Sequence, residues 1–378
     1  MPEKPFFIIG SERSGTTLLM AMLGAHPRLA VPEVTWYYPR FRRYAHTYGP
    51  LGDPANFRVL AEEMVHGLKT PYFGMSVNPR TVVDDILAQV QHQSFGDLFA
   101  AIMQWYAHHV GKPRWGEKTP HNLYFVREIL ADFPDAQFIC LHRDGRDVAA
   151  DQIESAFGPC NVYAAAKIWQ RCIQVAHDCE TFVPPAQWHR LSYEDLVTNP
   201  PAALRSVAQF LGEDYSSTML EFYQDDTARR RARTKDHRPL GEPANTAHIG
   251  IYKTRLSPRD ERVFIGVAGD ELRLLGYAVT AEPLTLPPDA QAAAIELDGR
   301  IRAATLDAPE GHIVYESYND WLADQREVRR MAGIWEGPPQ DRSLAHWDEE
   351  FISGQRAARY WKDRLNIKRQ HASGGLVL

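Results

Sequence analysis

The sequence predicts an α/β fold: a parallel sheet flanked by helices, with a helical insertion and a helical C-terminal extension. Two observations predict it. The apolar runs 6–9 and 137–141 lack polar alternation, as strands buried on both faces do. Each is followed by a turn and a stretch of helical composition, 16–25 and 146–155, and this alternation implies parallel strands covered by helices.

The remaining elements follow in chain order. Helix-like segments at 55–68, 82–90 and 96–110 place a helical insertion at about 40–112. Residues 122–133 read as one amphipathic helix, closed by a turn at Pro134-Asp135. A third strand-like stretch, 188–191, leads into Ser192-Tyr193-Glu194-Asp195, and the helix over 200–211 stops at Gly212. Residues 227–243 turn polar and basic, with Arg229-Arg230-Arg231, Arg233, Lys235 and Arg238, and read as a loop or lid. A helix over 258–275 stops at Gly276, and 283–288 looks like a linker. The expected division is a main domain over 1–280 and a mainly helical extension over 285–378 that carries Trp321, Trp335, Trp347 and Trp361.

Composition narrows the function classes. The chain has 378 residues, 44% hydrophobic and 24% charged, which are ordinary globular values. A formal net charge of −6 argues against general nucleic-acid affinity, which needs a cation-rich surface. Cys140, Cys160, Cys172 and Cys179 lack the close pairing of a zinc site and read as reduced thiols, so no metal is expected. The first apolar run is too short for a signal or membrane segment, and no later run reaches 18 apolar residues. A cytoplasmic protein without a membrane span is the expectation; oligomeric state is left open.

The chemistry begins at Gly10-Ser11-Glu12-Arg13-Ser14-Gly15-Thr16-Thr17, between the first strand and first helix. The two glycines have P-loop spacing, in which backbone N–H groups and a helix N-terminus cradle a phosphate. Thr16 stands where the loop lysine of an ATP or GTP hydrolase would reach the β- and γ-phosphates. Arg13 supplies a cation within the loop. The second strand ends in His142-Arg143-Asp144-Gly145-Arg146-Asp147, where Arg143 suits a nucleotide with an extra phosphate remote from its reactive end. Arg146 and Asp147 read equally well as a helix-start salt bridge. His108-His109 reads as a packed or exposed pair rather than a metal site, because no ligand set accompanies it.

These segments together resemble the PAPS-dependent sulfotransferase superfamily. Residues 10–18 resemble its 5′-phosphosulfate loop and 141–155 its 3′-phosphate strand and helix. Gly116-Glu117-Lys118-Thr119-Pro120 resembles a segment of bacterial members. Tyr193-Glu194-Asp195-Leu196 with Phe210-Leu211-Gly212 resembles the later strand and helix, and 247–277 the closing segment. The resemblance runs from residue 5 to about 278 and leaves the last hundred or so residues unmatched. The motifs are most similar to the tyrosylprotein branch, which shares Arg13-Ser14-Gly15-Thr16-Thr17-Leu18, Ala25-His26-Pro27, Pro39-Arg40 and Arg143-Asp144-Gly145-Arg146.

The resemblance implies in-line, metal-independent transfer of a sulfuryl group from PAPS to a hydroxyl of a small-molecule, carbohydrate or peptide acceptor, with the adenosine bisphosphate PAP as product. It implies that Arg13, Ser14, Gly15, Thr16 and Thr17 hold the 5′ end and that Lys118 and Arg13 act on the transferring group. It also implies Arg143 at the 3′-phosphate and Tyr193 and Lys253 at the border of the nucleotide, while Glu33, from its place just past the first helix, is the candidate to take the acceptor proton. A carboxylate among Pro32, Trp36, Tyr37, Tyr38 and Pro39 suits that role if its pKa is raised. Two departures stand out: Asp151 occupies the position of the family's phosphate-binding serine, leaving either Asp151 or Ser155 toward the 3′-phosphate, and Glu33-Val34 replaces a Glu-Glu pair whose second member, valine here, is the base that the resemblance implies. A solvated lysine and a surface glutamate are the plainer readings of Lys118 and Glu33. A P-loop small-molecule kinase and a non-catalytic nucleotide-binding protein are the alternative functions.

Overall fold

The structure, a computed structural model, describes residues 4–32, 34–69, 78–155, 158–225, 228–229, 232, 239–306 and 318–338. Its centre is a five-stranded sheet in the order β2-β3-β1-β4-β5. The strands are β1 (Phe6–Gly10), β2 (Leu29–Ala30), β3 (Arg114–Lys118), β4 (Gln137–His142) and β5 (Trp188–Ser192), and every pairing is parallel. Parallel order requires crossovers, and helices supply them. These are α1 (Thr16–Gly24), the short α2 (Tyr37–Arg40), α3 (Pro54–His66), α4 (Pro79–Leu87), α5 (Phe95–His109), α6 (Val126–Asp132), α7 (Gly145–Glu154) and α8 (Val162–Glu180). The short α9 (Tyr193–Thr198), α10 (Pro200–Leu211), the short α11 (Tyr252–Arg255), α12 (Pro258–Leu274), α13 (Pro288–Leu306) and α14 (Tyr318–Met331) follow.

Strand periodicity sorts the core into two layers. Phe7 and Ile9 of β1 and Phe138 and Cys140 of β4 face one layer, with Tyr38, Leu98 and Phe99 of the insertion. Phe6, Ile8, Ile139 and Leu141 face the other, with Leu19 and Leu23 of α1 and Leu204 of α10. Because both faces of β1 are covered, its apolar residues run without alternation. Helix starts carry side-chain caps where the sequence supplies them: Asp53, Ser94, Asn161 and Ser257 each accept a backbone N–H of the following turn.

The sheet contains two strands that hydropathy did not mark. In β3, Arg114-Trp115-Gly116-Glu117-Lys118, three of five residues are charged, yet every one is buried. Gly116 is there for space, since a Cβ at that position would sit 2.2 Å from Phe6 Cζ. The segment read as one helix over 122–133 is split into a 3-10 turn, Pro120–Phe125, and α6. The 283–288 segment is packed: Leu284 N donates to Arg262 O at 2.8 Å, beside Gly266, where a Cβ would meet Leu284 O at 2.4 Å. Most of the basic stretch 227–243, with Trp347 and Trp361, lies outside the described residues. Among the described residues, no helix is long and apolar enough to cross a membrane.

Gly10, Lys118, His142 and Ser192 end four parallel strands at one edge of the sheet, where open α/β folds place their ligands. Burial, with Arg190 adding to it, holds the His142 imidazole down at about 4. An unfolded chain would take up this proton near about 6.5. The native state is therefore at full stability above that value and loses stability as pH falls toward 4. Replacing His142 with Phe, which keeps the edge-on contact with the Tyr277 ring, should flatten the decline of unfolding free energy across this window by on the order of 2 kcal/mol. Urea unfolding of both proteins at several pH values measures it.

Candidate active site

The phosphate loop joins β1 to α1 through unusual backbone conformations. Gly10 has φ 138°, and a Cβ there would lie 2.1 Å from Leu141 O, so only glycine lets β1 and β4 close at this point. Arg13 has φ 63°, a left-handed conformation rare outside glycine, and Gly15 has φ 87°. Gly15 is the N-cap of α1 and offers no side chain to its first-turn N–H groups, and no acidic residue occupies that turn. Ser14 is fully buried, and its Oγ has no hydrogen-bond partner among the described residues. Free backbone donors, a helix dipole and an unsatisfied buried hydroxyl fit an anion in the loop.

The missing loop lysine has a counterpart from the neighbouring strand. Lys118, the last residue of β3, pairs in register with Ile8 of β1 and is only 2% exposed. Its Nζ donates to Thr17 Oγ1 at 3.3 Å, which puts a cation beside the first turn of α1 and corrects the reading of a solvated lysine. Register explains the placement: alternate residues of a strand point the same way, and Lys118 ends its strand where the loop begins.

Glu117, one residue earlier, is fully buried and was not among the expected site residues. Its Oε1 accepts Thr35 Oγ1 at 2.7 Å, Thr35 N at 3.3 Å and Thr119 Oγ1 at 2.5 Å, and its Oε2 accepts Asn122 Nδ2 at 2.6 Å. Burial pushes its carboxyl above the ordinary range, against the pull of Thr119, Thr35 and Lys118. Trp36, at φ 57°, donates its N–H to Thr119 Oγ1 at 3.2 Å, and its ring meets that of His121 at 4.7 Å. His121 Nδ1 lies 3.5 Å from Glu12 of the phosphate loop. Residues 34–36 are thus tied to the end of β3. Glu33 itself lies outside the described residues. The sequence signal for Glu117 was a glutamate inside a segment already singled out for its lysine.

At the other end of the loop, Arg143 leaves β4 buried. Its Nη1 donates to Arg13 O at 3.0 Å and to Asp151 Oδ2 at 2.7 Å, its Nη2 to His248 O at 2.6 Å, and its guanidinium lies 4.8 Å over the Tyr193 ring. Its Nε is buried without a partner among the described residues. Asp151 also receives Arg255 Nη1 at 2.9 Å. Burial acts to raise the Asp151 pKa, but the charges of Arg143, Arg13 and Arg255 outweigh it and hold the carboxyl below its usual value. Tyr193 also packs on the loop, since a Cβ on Gly15 would lie 2.6 Å from its Cδ2.

Of the two alternatives for the family's serine, Asp151 is the residue beside Arg143. The Ser155 hydroxyl closes α7 instead: it donates to Gln152 O at 2.8 Å and accepts Gly158 N at 2.9 Å. Asp147 accepts Gly250 N at 2.7 Å and Tyr252 N at 2.9 Å, which anchors α11 beside the loop. Lys253 projects from α11 into solvent, its Nζ 5.9 Å from the Tyr252 ring. Arg146 pairs with Asp144 rather than with Asp147, its Nε and Nη2 donating to the two Asp144 oxygens at 3.0 and 2.7 Å. His108 meets Gln104 at 2.9 Å, and His109 stacks on Trp105 at 5.2 Å.

The site therefore has an anion cradle between two cationic positions, Lys118 toward residues 34–36 and Arg143 toward α11. Gly15→Ala tests the cradle, because a left-handed alanine costs about 1–3 kcal/mol before the Tyr193 clash is counted. Affinity for adenosine 3′,5′-bisphosphate should fall about tenfold or more by calorimetry. Gly24→Ala, in the same helix with nothing within 4 Å of the new Cβ, should leave it unchanged.

Comparison with known proteins bears on the fold and the family. A protein-tyrosine sulfotransferase of Drosophila melanogaster is 24% identical over 224 residues, covering 58% of this chain and 40% of the fly protein. Protein-tyrosine sulfotransferase A of Caenorhabditis elegans is 25% identical over 292 residues, 74% of this chain and 69% of that protein. The alignment to the fly protein thus spans well under two thirds of its length. The sulfotransferase domain of the Synechococcus PCC 7002 olefin synthase shares the fold, with a TM-score of 0.51 at 19% identity over 74% of this chain and 96% of that one. The sulfotransferase domain of the curacin biosynthetic pathway does so at a TM-score of 0.50 and 17% identity, over 74% and 99%. The model of the Sulfotransferase family matches residues 5–217, more than half of the chain, and the protein belongs to that family.

Proposed function

We propose that this protein transfers a sulfuryl group from PAPS to an acceptor hydroxyl and releases adenosine 3′,5′-bisphosphate. The observation that carries the reading is Lys118 Nζ at 3.3 Å from Thr17 Oγ1, a buried cation delivered to the phosphate loop from β3 rather than from position 16. Ser14 Oγ and Arg143 Nε, without partners among the described residues, fit the two phosphate-bearing ends of such a donor. Bound PAPS supplies a sulfuryl group on a phosphate leaving group. The loop N–H groups, Ser14 and Thr17 hold that phosphate, and Arg13 and Lys118 offset negative charge as it grows on the bridging oxygen. Arg143 and Tyr193 hold the far end of the nucleotide, with Lys253 at its border. Glu33, the carboxylate nearest in sequence to the aromatic stretch 36–38, is the candidate to take the hydroxyl proton as the acceptor oxygen bonds to sulfur and the bond from sulfur to the phosphate oxygen breaks. The names of the fly and worm relatives support peptide tyrosine as the acceptor to try first. The same reading assigns the catalytic unit to residues 1–280 and an added helical part to 285–378.

Acceptor-dependent formation of the bisphosphate from PAPS, with a tyrosine peptide and a panel of phenols and sugars, is the direct test. Equal use of ATP as donor would overturn the reading in favour of a kinase. Glu33→Gln and Lys118→Met should each lower the single-turnover rate by about two orders of magnitude or more, with bisphosphate affinity little changed in Glu33→Gln. A near-normal rate in Glu33→Gln would remove Glu33 from the mechanism.

Binding is tested separately. Calorimetry in chelator should show bisphosphate binding that Arg143→Ala weakens by about 1.5–3 kcal/mol. Asp151→Ser should leave affinity unchanged or improve it, because it frees Arg143 Nη1 and removes a negative charge from beside the phosphate site. Abolished binding in a folded Asp151→Ser protein would make the carboxylate a positive contributor, one that aims Arg143.

A further inference from the structure

Two buried guanidinium groups of α14, from the part of the chain outside the family match, reach main-chain atoms next to the site. Arg326, 7% exposed, donates Nη2 to Arg40 O at 2.8 Å and lies 3.9 Å over the Tyr44 ring. Arg329, equally buried, donates Nη1 to Glu63 Oε1 at 2.7 Å and Nε to Thr47 O at 3.1 Å, with its guanidinium 4.1 Å over the Tyr48 ring. Tyr48 donates its hydroxyl to the other oxygen of Glu63. Leu322, one turn earlier, is fully buried in the core that contains Tyr37 and Tyr38. Buried charges are tolerated only where hydrogen bonds replace the lost water, and here those bonds go to the Glu63 carboxylate and to carbonyls of residues 40 and 47. Through the two carbonyls α14 constrains backbone.

From Arg40 the bonds continue inward. Arg40 Nη1 donates to Thr35 O at 3.1 Å, and Arg40 N to Trp36 O at 2.9 Å. Thr35 donates N and Oγ1 to Glu117, whose chain neighbour Lys118 meets the phosphate loop. The line runs from α14 through Arg40 and Thr35 to Glu117 without a gap. Arg143 and Tyr193, at the nucleotide end, are held through α7, α11 and the loop itself.

We propose that α14 is a positioning element for the acceptor side of the site, its Arg326 and Arg329 holding residues 34–48 so that Thr35 stays on Glu117 beside Lys118. Which side receives the acceptor rests on the sulfuryl-transfer reading; the mechanical coupling does not. Loss of the α14 contacts loosens residues 34–36 and leaves nucleotide binding in place.

The experiment uses the full chain. Arg326→Met removes the bond to Arg40 O, and Arg326→Lys restores one donor. Arg329→Met alone would strand the Glu63 charge in the core and risks unfolding. The double variant Glu63→Gln, Arg329→Gln replaces that pair with neutral groups that still hydrogen-bond. Circular dichroism establishes folding, and hydrogen exchange reads the amides of Thr35 and Trp36. We expect Arg326→Met and the double variant to speed exchange at these amides about tenfold or more, the loss of one bond to a charged group. Arg326→Lys should recover part of the protection. Exchange in α1 and affinity for adenosine 3′,5′-bisphosphate should stay within about twofold of the parent protein. Unchanged exchange at Thr35 and Trp36 in the folded variants overturns the proposal, and so does an equal rise in α1 with a parallel loss of nucleotide affinity. A parent protein that binds no bisphosphate would instead sink the sulfuryl-transfer reading, while exchange at Thr35 would still report the coupling.

Discussion

Lys118 is the constraint around which the site is built. An ammonium withdrawn from water is costly unless polar partners or an anion replace its hydration, and this one is only 2% exposed at the end of a strand. Its position demands parallel register between β3 and β1, which brings Lys118 opposite Ile8 and within reach of Thr17. That register requires glycine at position 116, where Phe6 leaves no room for a side chain, while glycine at position 10 lets β4 close on the other side of β1. Close strand packing and the cation beside the loop are two consequences of the same small residues.

The nucleotide end of the site is organised by competition for Arg143. Arg13 O, Asp151 and His248 O together take both terminal nitrogens of its guanidinium, while Tyr193 stacks beneath it. Asp151, where the family has serine, would repel a phosphate if it acted alone. It does not act alone: Arg255 shares its charge, so Arg143, Asp151 and Arg255 form a ladder of alternating sign. The ladder joins α7 to α11, whose backbone is fixed by Asp147. Arg143 thus connects the phosphate loop to the segment that borders the nucleotide.

The insertion and the C-terminal helices are one mechanical unit on the opposite side. Glu63 of α3, Arg40 of α2 and Arg326 and Arg329 of α14 are buried polar groups whose bonds close on one another and on main-chain carbonyls. Such networks specify a single arrangement because each unmet partner in a low-dielectric interior is expensive. Segment 34–36 inherits that specificity through Arg40 and Thr35. Meanwhile α13 packs on α8, where Asn161 Nδ2 donates to Ala294 O at 2.8 Å, so the last described helices brace the sheet from two directions.

By itself the sequence determined the parts whose physics is local. Two-sided burial makes β1 and β4 continuous apolar runs, helix starts carry their caps, and the phosphate loop is contiguous in the chain, so fold class and anion cradle were legible in residues 6–25 and 137–155. Tertiary structure alone decided the rest. β3 was hidden because its charged residues are satisfied by distant partners: Arg114 donates to Leu211 O at 2.7 Å, Glu117 accepts from Thr35, and Lys118 donates to Thr17. The choice between Asp151 and Ser155 beside Arg143 depended on where α7 stops and what its last turn bonds, which spacing does not encode. The junction of Arg326 with Arg40 links residues 286 positions apart. A buried guanidinium and an exposed one are the same letter in a sequence, and only the packing of α14 against residues 40–48 shows which kind this one is.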